Sequence, residues 1–268
     1  DRRRMSRVVW VQGTQLTPHS SALAAADRAT DRVLLVESLP HVLRGRLHRH
    51  KAALVLAAMR RFAEELRADG WAVDEVRLGE DRSFADALAG CGADEILVME
   101  PTGWQAQRSL ARIEAASGVP VRVTPDTLFL CPREDFAGWA EGRKRLRMQE
   151  FYSCMRRRHG VLLDGDGPEG GRWSFDPDNR ETFAAWRRSG LEAMPPPGID
   201  HDDPVLVEVQ ADLDRHAPGL VGRAEDFWLP TTRAEAEAWL TDFVERRLAG
   251  FGPFEDVSDP ADPWLRHS

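Results

Sequence analysis

The amino-acid sequence predicts an α/β fold, a doubly wound parallel sheet of five strands followed by a helical or irregular linker region. Through the first 123 residues, short apolar runs alternate with longer stretches whose apolar residues recur at helical spacing. Strands that alternate with helices in this way run parallel, and the helices then cover both faces of the sheet. The apolar content of 42% is sufficient for the buried core that such a sheet requires.

The apolar pattern locates the individual elements. The predicted strands comprise residues 7–12, 33–36, 72–78, 95–100 and 119–123. The predicted helices comprise residues 48–68, 84–88 and 104–117. In the longest helix, apolar residues recur at intervals of four from Leu54 to Leu66, which indicates one buried face. Gly70 follows this stretch and is expected to end the helix.

Polar residues follow three of the predicted strands. Sheets of this kind bind ligands in the crevice outside the carboxyl ends of their strands. The residues expected there are Gly13, Thr14, Gln15, Glu37, Glu100, Pro101 and Trp104. An acid on two of these loops suits an uncharged, hydrogen-bonding heterocycle better than a polyphosphate. Glu37 and Glu100 could each equally well cap the helix that follows.

Several classes of site are disfavoured by the motifs. No G-x-G-x-x-G follows the first strand and no G-x-x-x-x-G-K-[ST] is present, so neither a Rossmann-type dinucleotide site nor a P-loop is expected. The three cysteines form no C-x-x-C pair, and His48 and His50 are expected on different faces of a helix. We therefore predict no metal site and no catalytic residue in this chain. No membrane span or signal peptide is expected, and the cysteine usage indicates the cytoplasm.

Residues 142–180, here called the basic segment, contain a cluster of arginine and lysine residues, whereas the whole chain has a net charge of −8. Phe151 and Met155 predict a helix that Gly160 ends, and the glycine-rich residues 165–171 predict a tight turn. With their aromatic neighbours, the cations are candidates for contact with a DNA backbone. These candidates are Arg143, Lys144, Arg156, Arg157, Arg158, Arg172 and Arg180. Equally, they could pair with acids of the same protein.

The rest of the chain is predicted in less detail. Residues 181–230 are rich in proline and weakly periodic, which indicates a linker or an extended wrap. A helix is expected over residues 231–248, with Thr232 as its N-cap and Ala234, Ala238 and Leu240 facing inward. This gives three predicted segments, 1–130 as an α/β domain, 131–230 as basic helix, turn and linker, and 231–268 as the start of a helical domain.

Four stretches resemble the photolyase-related branch of the cryptochrome/photolyase family, the bacterial iron–sulfur cryptochromes and (6-4) photolyases. Residues 13–16 resemble its G-D-Q-L, residues 50–66 its H-K…A-M-R-x-F-A-E-E-L, and residues 99–104 its E-P-x-x-W. The basic segment is similar to its G-R-K…M-x-x-F-Y-x-x-M-R-R and G-G-x-W-x-F-D-x-x-N-R. Thr14 stands where the family has aspartate, and Gly103 where it usually has glutamate.

This resemblance implies a function. In that family an α/β domain carries an antenna chromophore, typically 6,7-dimethyl-8-ribityllumazine, and a C-terminal domain holds FAD and a 4Fe-4S cluster. Reduced FAD then donates an electron to a pyrimidine lesion in DNA. By position, the residues expected around the lumazine are Gly13, Thr14, Gln15, Glu37, Lys51, Val55, Glu100 and Trp104. The segment after Arg180 is expected to be the interdomain linker, near DNA.

The resemblance also implies that FAD, the cluster and the lesion contacts belong to a C-terminal domain absent from this sequence. We therefore expect a monomeric antenna and linker portion of a light-dependent DNA-repair enzyme or photoreceptor, either a fragment or a stand-alone antenna domain. A non-catalytic module of a different class is the alternative. It would bind a nucleotide-like ligand at the sheet and dock a partner through the basic segment.

Overall fold

A computed structural model describes residues 5–44, 47–80, 82–190 and 197–258. The chain divides into two compact units, the first formed by residues 1–130 and 199–233, and the second by residues 131–198 and 234–268. The strands are β1 Arg7–Val11, β2 Arg32–Val36, β3 Ala72–Val76, β4 Glu95–Met99, β5 Val121–Thr124, β6 Leu163–Asp164 and β7 Gly167–Pro168. The helices are α1 Ser21–Ala24, α2 Leu39–Arg44, α3 Arg49–Ala68, α4 Phe84–Gly90, α5 Trp104–Ser117, α6 Arg133–Ala140, α7 Met148–His159, α8 Phe183–Ser189, α9 Pro204–His216, α10 Arg233–Asp242 and α11 Leu248–Phe254.

The first unit contains the predicted five-stranded parallel sheet, in the order β3-β2-β1-β4-β5. The register places Val9 opposite Val33 of β2 and Val8 opposite Ile96 of β4. From β1 the chain builds outward to β3 on one side and then, through β4, to β5 on the other. This change of direction makes a topological switch point between β1 and β4, the place where such sheets bind ligands.

Alternation along the central strands separates two buried layers. Val9 and Val11 belong to a cluster that includes Phe62 and Leu66 of α3. Val8 and Trp10 belong to a second cluster, with Leu88 of α4 and Leu110 of α5. Helices therefore cover both faces of the sheet, which confirms the doubly wound, Rossmann-like arrangement.

Helix α9 adds a third layer that the sequence analysis missed. Its residues Leu206, Val209 and Leu213 are buried with Leu56 and Ala57 of α3. The side chain of Asp203 caps the helix by accepting a hydrogen bond from Leu206 N, and Pro204 occupies the first turn. Proline at that position favours a helix start, because its missing N–H would have no partner there. The expectation of an irregular linker or extended wrap over residues 181–230 is therefore wrong about local structure at α9 and α8, which are helical.

The second unit consists of shorter helices and a small hairpin. Gly160 ends α7 with φ +65°, and Gly165 turns the chain between β6 and β7, as predicted. A helical stretch from Arg233 to Phe254 includes a π-helical turn at Phe243–Arg247 and extends past the predicted end. The predicted inward residues Ala234, Ala238 and Leu240 are exposed, so that prediction is wrong. Trp186, Phe254 and Val257 form a buried apolar cluster among the described residues of this unit.

Two predicted features fall partly or wholly outside the described residues. These are the proline run at residues 195–197, of which only Pro197 is described, and the tail after residue 258. Among the helices that the structure describes, none is long and apolar enough to cross a membrane.

The packing of α9 on α3 predicts unequal effects at two valines of α9. Val209 is fully buried, whereas Val207 is 52% exposed. Val209→Ala removes two buried methyl groups and should lower the free energy of unfolding by about 2 kcal/mol. Val207→Ala should change it by no more than about 0.5 kcal/mol. Urea denaturation of both variants measures the difference, and equal losses would contradict a packed α9.

Candidate functional site

Gln15 joins the loop after β1 to the end of β4. Its side chain is 2% exposed, and its amide Nε2 donates to the carbonyl oxygens of Met99, at 3.1 Å, and Glu100, at 3.0 Å. These two contacts cross the switch point of the sheet. The structure thus brings Gln15 and Glu100 together, as the sequence predicted from their positions after β1 and β4.

Gly13 lies against α3 on the same loop. A Cβ atom at this position would lie 2.8 Å from Val55 Cγ1 and 2.9 Å from Met59 Sδ, closer than real Cβ contacts. The loop therefore requires glycine in order to approach α3. Val55 is half-buried beside it, and Lys51, one helical turn earlier, is exposed.

Glu37 is buried in an ion pair. The guanidinium of Arg60 donates to both carboxylate oxygens, at 2.7 and 2.9 Å, and the backbone N–H of Leu78 donates to one of them at 3.0 Å. Glu37 and Arg60 are each less than 5% exposed. The roles predicted for Glu37 from the sequence were a ligand contact or a helix cap. The ion pair with Arg60 is a different role that was not predicted.

Arg60 connects Glu37 to α9. Its guanidinium lies 2.7 Å from Asp212 and 3.1 Å from Glu208. Burial opposes the charge of Arg60, but the hydrogen bonds and charges of Glu37, with Asp212 and Glu208, outweigh it and raise the pKa of Arg60. Arg60 was not among the site residues predicted from the sequence. Its signal was an arginine within the apolar face of α3, between the buried residues Leu56 and Ala63.

Glu100 and Trp104 flank the other side of the switch point. The side chain of Gln107 donates to the Glu100 carboxylate at 3.2 Å and to the Pro101 carbonyl at 2.7 Å. Trp104 begins α5 and is 69% exposed, with the Arg108 guanidinium 6.0 Å from its ring. A wide aromatic surface thus stands at the amino end of α5, four residues after Glu100.

Trp10, near the carboxyl end of β1, carries a buried polar atom that the sequence analysis did not consider. Its side chain is 2% exposed, and within the described part of the chain its indole N–H has no hydrogen-bond partner. Its ring lies 5.2 Å from that of Phe84, which in turn lies 5.2 Å from that of His41. Burial, together with the charge of Arg44, lowers the pKa of His41. An unpartnered buried donor is uncommon, and this one lies in the layer of α4 and α5, on the face of the sheet opposite Val55.

In the basic segment, Arg156 serves an internal role. It is 5% exposed, and its guanidinium donates to the carbonyl of Val161 at 3.3 Å and to that of Leu162. It also lies 5.4 Å from the ring of Tyr152 and 5.2 Å from that of Trp173. These contacts favour the intramolecular alternative for this residue.

The other cations of the segment are at the surface. Four of these arginines pair with carboxylates, Arg143 with Glu150, Arg158 with Asp135, Arg172 with Asp178 and Arg180 with Asp176. Lys144 and Arg157 are exposed, and Arg157 lies 4.0 Å from the ring of Trp173. Exposed ion pairs contribute about 0–1 kcal/mol each, so these arginines remain able to exchange their carboxylates for phosphates.

His48 and His50 meet, contrary to the expectation that they would point to different faces. Their ring centroids are 4.7 Å apart. His48 is the N-cap of α3, with extended backbone, and its Nδ1 accepts a hydrogen bond from His50 N. Because it stands outside the helix, helical spacing does not govern its direction. In the described residues there is no group of three or more potential metal ligands.

Comparison with known proteins accords with this architecture. Residues 9–229 match the family model of the deoxyribodipyrimidine photo-lyase-related protein. The chain belongs to this family. It is 34% identical over 272 residues to a curated (6-4) photolyase of Agrobacterium fabrum (strain C58 / ATCC 33970). That alignment covers 98% of this chain and 52% of the relative, so this photo-lyase-related chain spans about half the length of the curated relative it matches.

The buried pair of this photo-lyase-related chain predicts unequal effects of removing two acids that contact Arg60. Glu37 is 4% exposed and Glu208 is 59% exposed. Glu37→Gln should lower the free energy of unfolding by about 3 kcal/mol, because Arg60 then loses its buried countercharge. Glu208→Gln should cost less than about 1 kcal/mol, because that pair is screened by water.

Chemical denaturation of both variants at neutral pH measures the two losses. Arg60→Met combined with Glu37→Gln should recover part of the loss, because the uncompensated charge is removed. If both variants lost the same free energy of unfolding, the buried Glu37–Arg60 pair would contribute no more to stability than the exposed pair with Glu208.

Proposed function

We propose that this chain is the antenna and linker portion of a light-dependent photolyase or cryptochrome-like protein. Its first unit would hold an antenna chromophore, 6,7-dimethyl-8-ribityllumazine, and its second unit would contact DNA. The observation that carries the proposal is the Gln15 bridge across the switch point, in a chain of the photo-lyase-related family. That bridge supports a ligand site between β1 and β4.

The chemistry of the crevice residues is compatible with a planar, uncharged chromophore. Val55 and Trp104 offer apolar and aromatic surface, while Thr14 and Glu100 offer polar atoms. We assign no ligand contact to Glu37, because Arg60 and Leu78 N already occupy its oxygens. A bound lumazine would supply near-ultraviolet or blue absorption.

We place FAD and a 4Fe-4S cluster in a part of the protein corresponding to the rest of the (6-4) photolyase. In that arrangement, excitation would pass from the antenna to FAD, for repair of pyrimidine (6-4) lesions or for light sensing. The residues of this chain would hold and orient the antenna, exclude water from it and contact DNA.

The antenna site is tested by reconstitution with the lumazine. The chain should bind it and show an absorption band that is released on denaturation. Val55→Trp should abolish the band, because the added ring has no space between α3 and the loop at Gly13. Val207→Trp places the same side chain on the exposed face of α9 and should leave the band unchanged.

Circular dichroism of both tryptophan variants shows whether the fold is retained. A chain that cannot be reconstituted with lumazine would contradict the antenna proposal. A band that survives in a folded Val55→Trp variant would place the chromophore elsewhere.

The proposed DNA contact is tested by the salt dependence of binding. Arg157→Ala combined with Arg158→Ala should weaken binding to duplex DNA. It should also reduce the slope of log K against log salt by about 2, because two phosphate contacts are lost. Arg108→Ala combined with Arg112→Ala removes the same charge from α5 and should leave the slope unchanged. An unchanged slope for the first pair would assign those arginines to the intramolecular alternative.

A further inference from the structure

The second unit contains a cavity of about 740 Å³ beside α7. One wall is the face of α7 that carries Met148, Gln149 and Tyr152, and the other is formed by residues 162–179. Its volume lies within the range of roughly 300–1,000 Å³ typical of small-molecule sites. We call it the aromatic cavity, because the rings of Tyr152, Trp173 and Phe175 line it.

Arginines hold the aromatic rings in place. Arg156 lies between Tyr152 and Trp173, while Arg157 lies 4.0 Å from the Trp173 ring centroid. Arg172 lies 4.4 Å from the Phe175 ring centroid. Alternating guanidinium and aromatic groups attract one another through the ring quadrupole. These contacts restrain the rings, and a planar ligand would stack on the ring surface that no guanidinium covers.

The rim of the cavity is conformationally strained. Leu162 has φ +51°, and it is the one non-glycine residue with positive φ in the ranges that the structure describes. Its carbonyl oxygen accepts hydrogen bonds from the buried Arg156 and from Glu169 N, at 2.9 Å. Its side chain, 53% exposed, lines the cavity. Strain of this kind persists where surrounding contacts impose it, and it is concentrated at ligand sites.

The charged residues that line the cavity are Glu169, Asp176 and Arg156. Arg156 donates to two backbone carbonyls and Asp176 pairs with Arg180, so the residues described around the cavity offer a phosphate no cation that is free of other contacts. The side-chain amides of Gln149 and Asn179 offer both donors and acceptors. The matching ligand is a neutral, planar heterocycle with donors and acceptors on its edge. A nucleobase has these properties, and its phosphates could remain outside, near Arg157.

We propose that the aromatic cavity receives one unstacked base of a DNA strand. The proposal rests on the proposed function because it takes DNA as the partner. It goes further because it assigns a base, rather than the phosphate backbone, to a defined cavity. Aromatic platforms combined with external cations are the usual way in which proteins bind single strands. The basic segment then contacts both parts of a nucleotide, the phosphate through its surface arginines and the base through the rings behind them.

A single-stranded oligonucleotide of about 12 nucleotides, a length typical of single-strand sites, tests this. It carries one 2-aminopurine among thymines and a dye at one end. Dye anisotropy reports binding, and 2-aminopurine emission reports stacking. The unaltered chain should bind the strand and quench the emission. Trp173→Leu should weaken binding about tenfold, the loss expected for one stacked base, and abolish the quenching.

Trp139→Leu is the matched control. Trp139 lies on α6 with the Arg143 guanidinium 4.5 Å from its ring, so it is also an arginine-paired tryptophan of the second unit, but it does not line the cavity. This variant should bind and quench as the unaltered chain does. Ser174→Trp keeps every native ring and fills the cavity, and it should also abolish the quenching. Circular dichroism verifies that each variant is folded.

Three outcomes overturn the proposal. Binding without quenching would mean that phosphate contacts alone hold the strand, and the DNA part of the proposed function would still stand. Equal losses for Trp173→Leu and Trp139→Leu would also remove the cavity from the binding site. Absence of any anisotropy change would contradict DNA contact itself. Competition by free thymidine, which carries a base without a phosphate, should displace the quenched probe if the base alone is recognised.

Discussion

The ion pair between Glu37 and Arg60 is the contact on which the three layers of the first unit depend. Glu37 follows β2, Arg60 lies on α3, and the further partners of Arg60, Asp212 and Glu208, lie on α9. One guanidinium thus contacts groups from each layer. Removing these charges from water is costly. The cost is offset because each carboxylate oxygen of Glu37 accepts at least one hydrogen bond. The stabilising effect of the pair depends on these donors to the Glu37 carboxylate, since a buried charge without them is costly.

This constraint also shapes the crevice. A carboxylate at the end of β2 would repel an anionic ligand if it were free, but here its charge is compensated by Arg60. Thr14 follows β1 and the carboxylate of Glu100 follows β4, on the two loops that the Gln15 bridge joins. Val55 of α3 lies against the first of these loops, at Gly13. Under the proposed function, these residues would contact a flat, neutral chromophore.

The sequence predicted the sheet, α3 and α5 well because these elements are determined by local patterns. Strands β1, β2 and β4 are buried on both faces and hence appear as continuous apolar runs, and the Trp104–Ser117 helix was predicted with its observed bounds. Helix α9 was not predicted because the prolines around it indicate irregular chain and obscure the apolar spacing of Leu206, Val209 and Leu213. The Glu37–Arg60 pair was missed because its members are 23 residues apart and joined only by tertiary packing. The cavity in the second unit depends on the same kind of long-range contact.

The arginines of the basic segment fall into two groups, the buried Arg156 and the exposed arginines. Arg156 is almost fully enclosed and donates to backbone carbonyls, so a phosphate would have to compete with contacts that fix the strained Leu162. The exposed arginines pair with acids in water, where the attraction is weak and screened by salt. These acids therefore do not exclude DNA, because a phosphate can replace them at little cost. They do lower the net positive charge of the segment, which weakens indiscriminate attraction to polyanions. If the proposed DNA contact is correct, selectivity would come from shape and stacking at the aromatic rings beside α7.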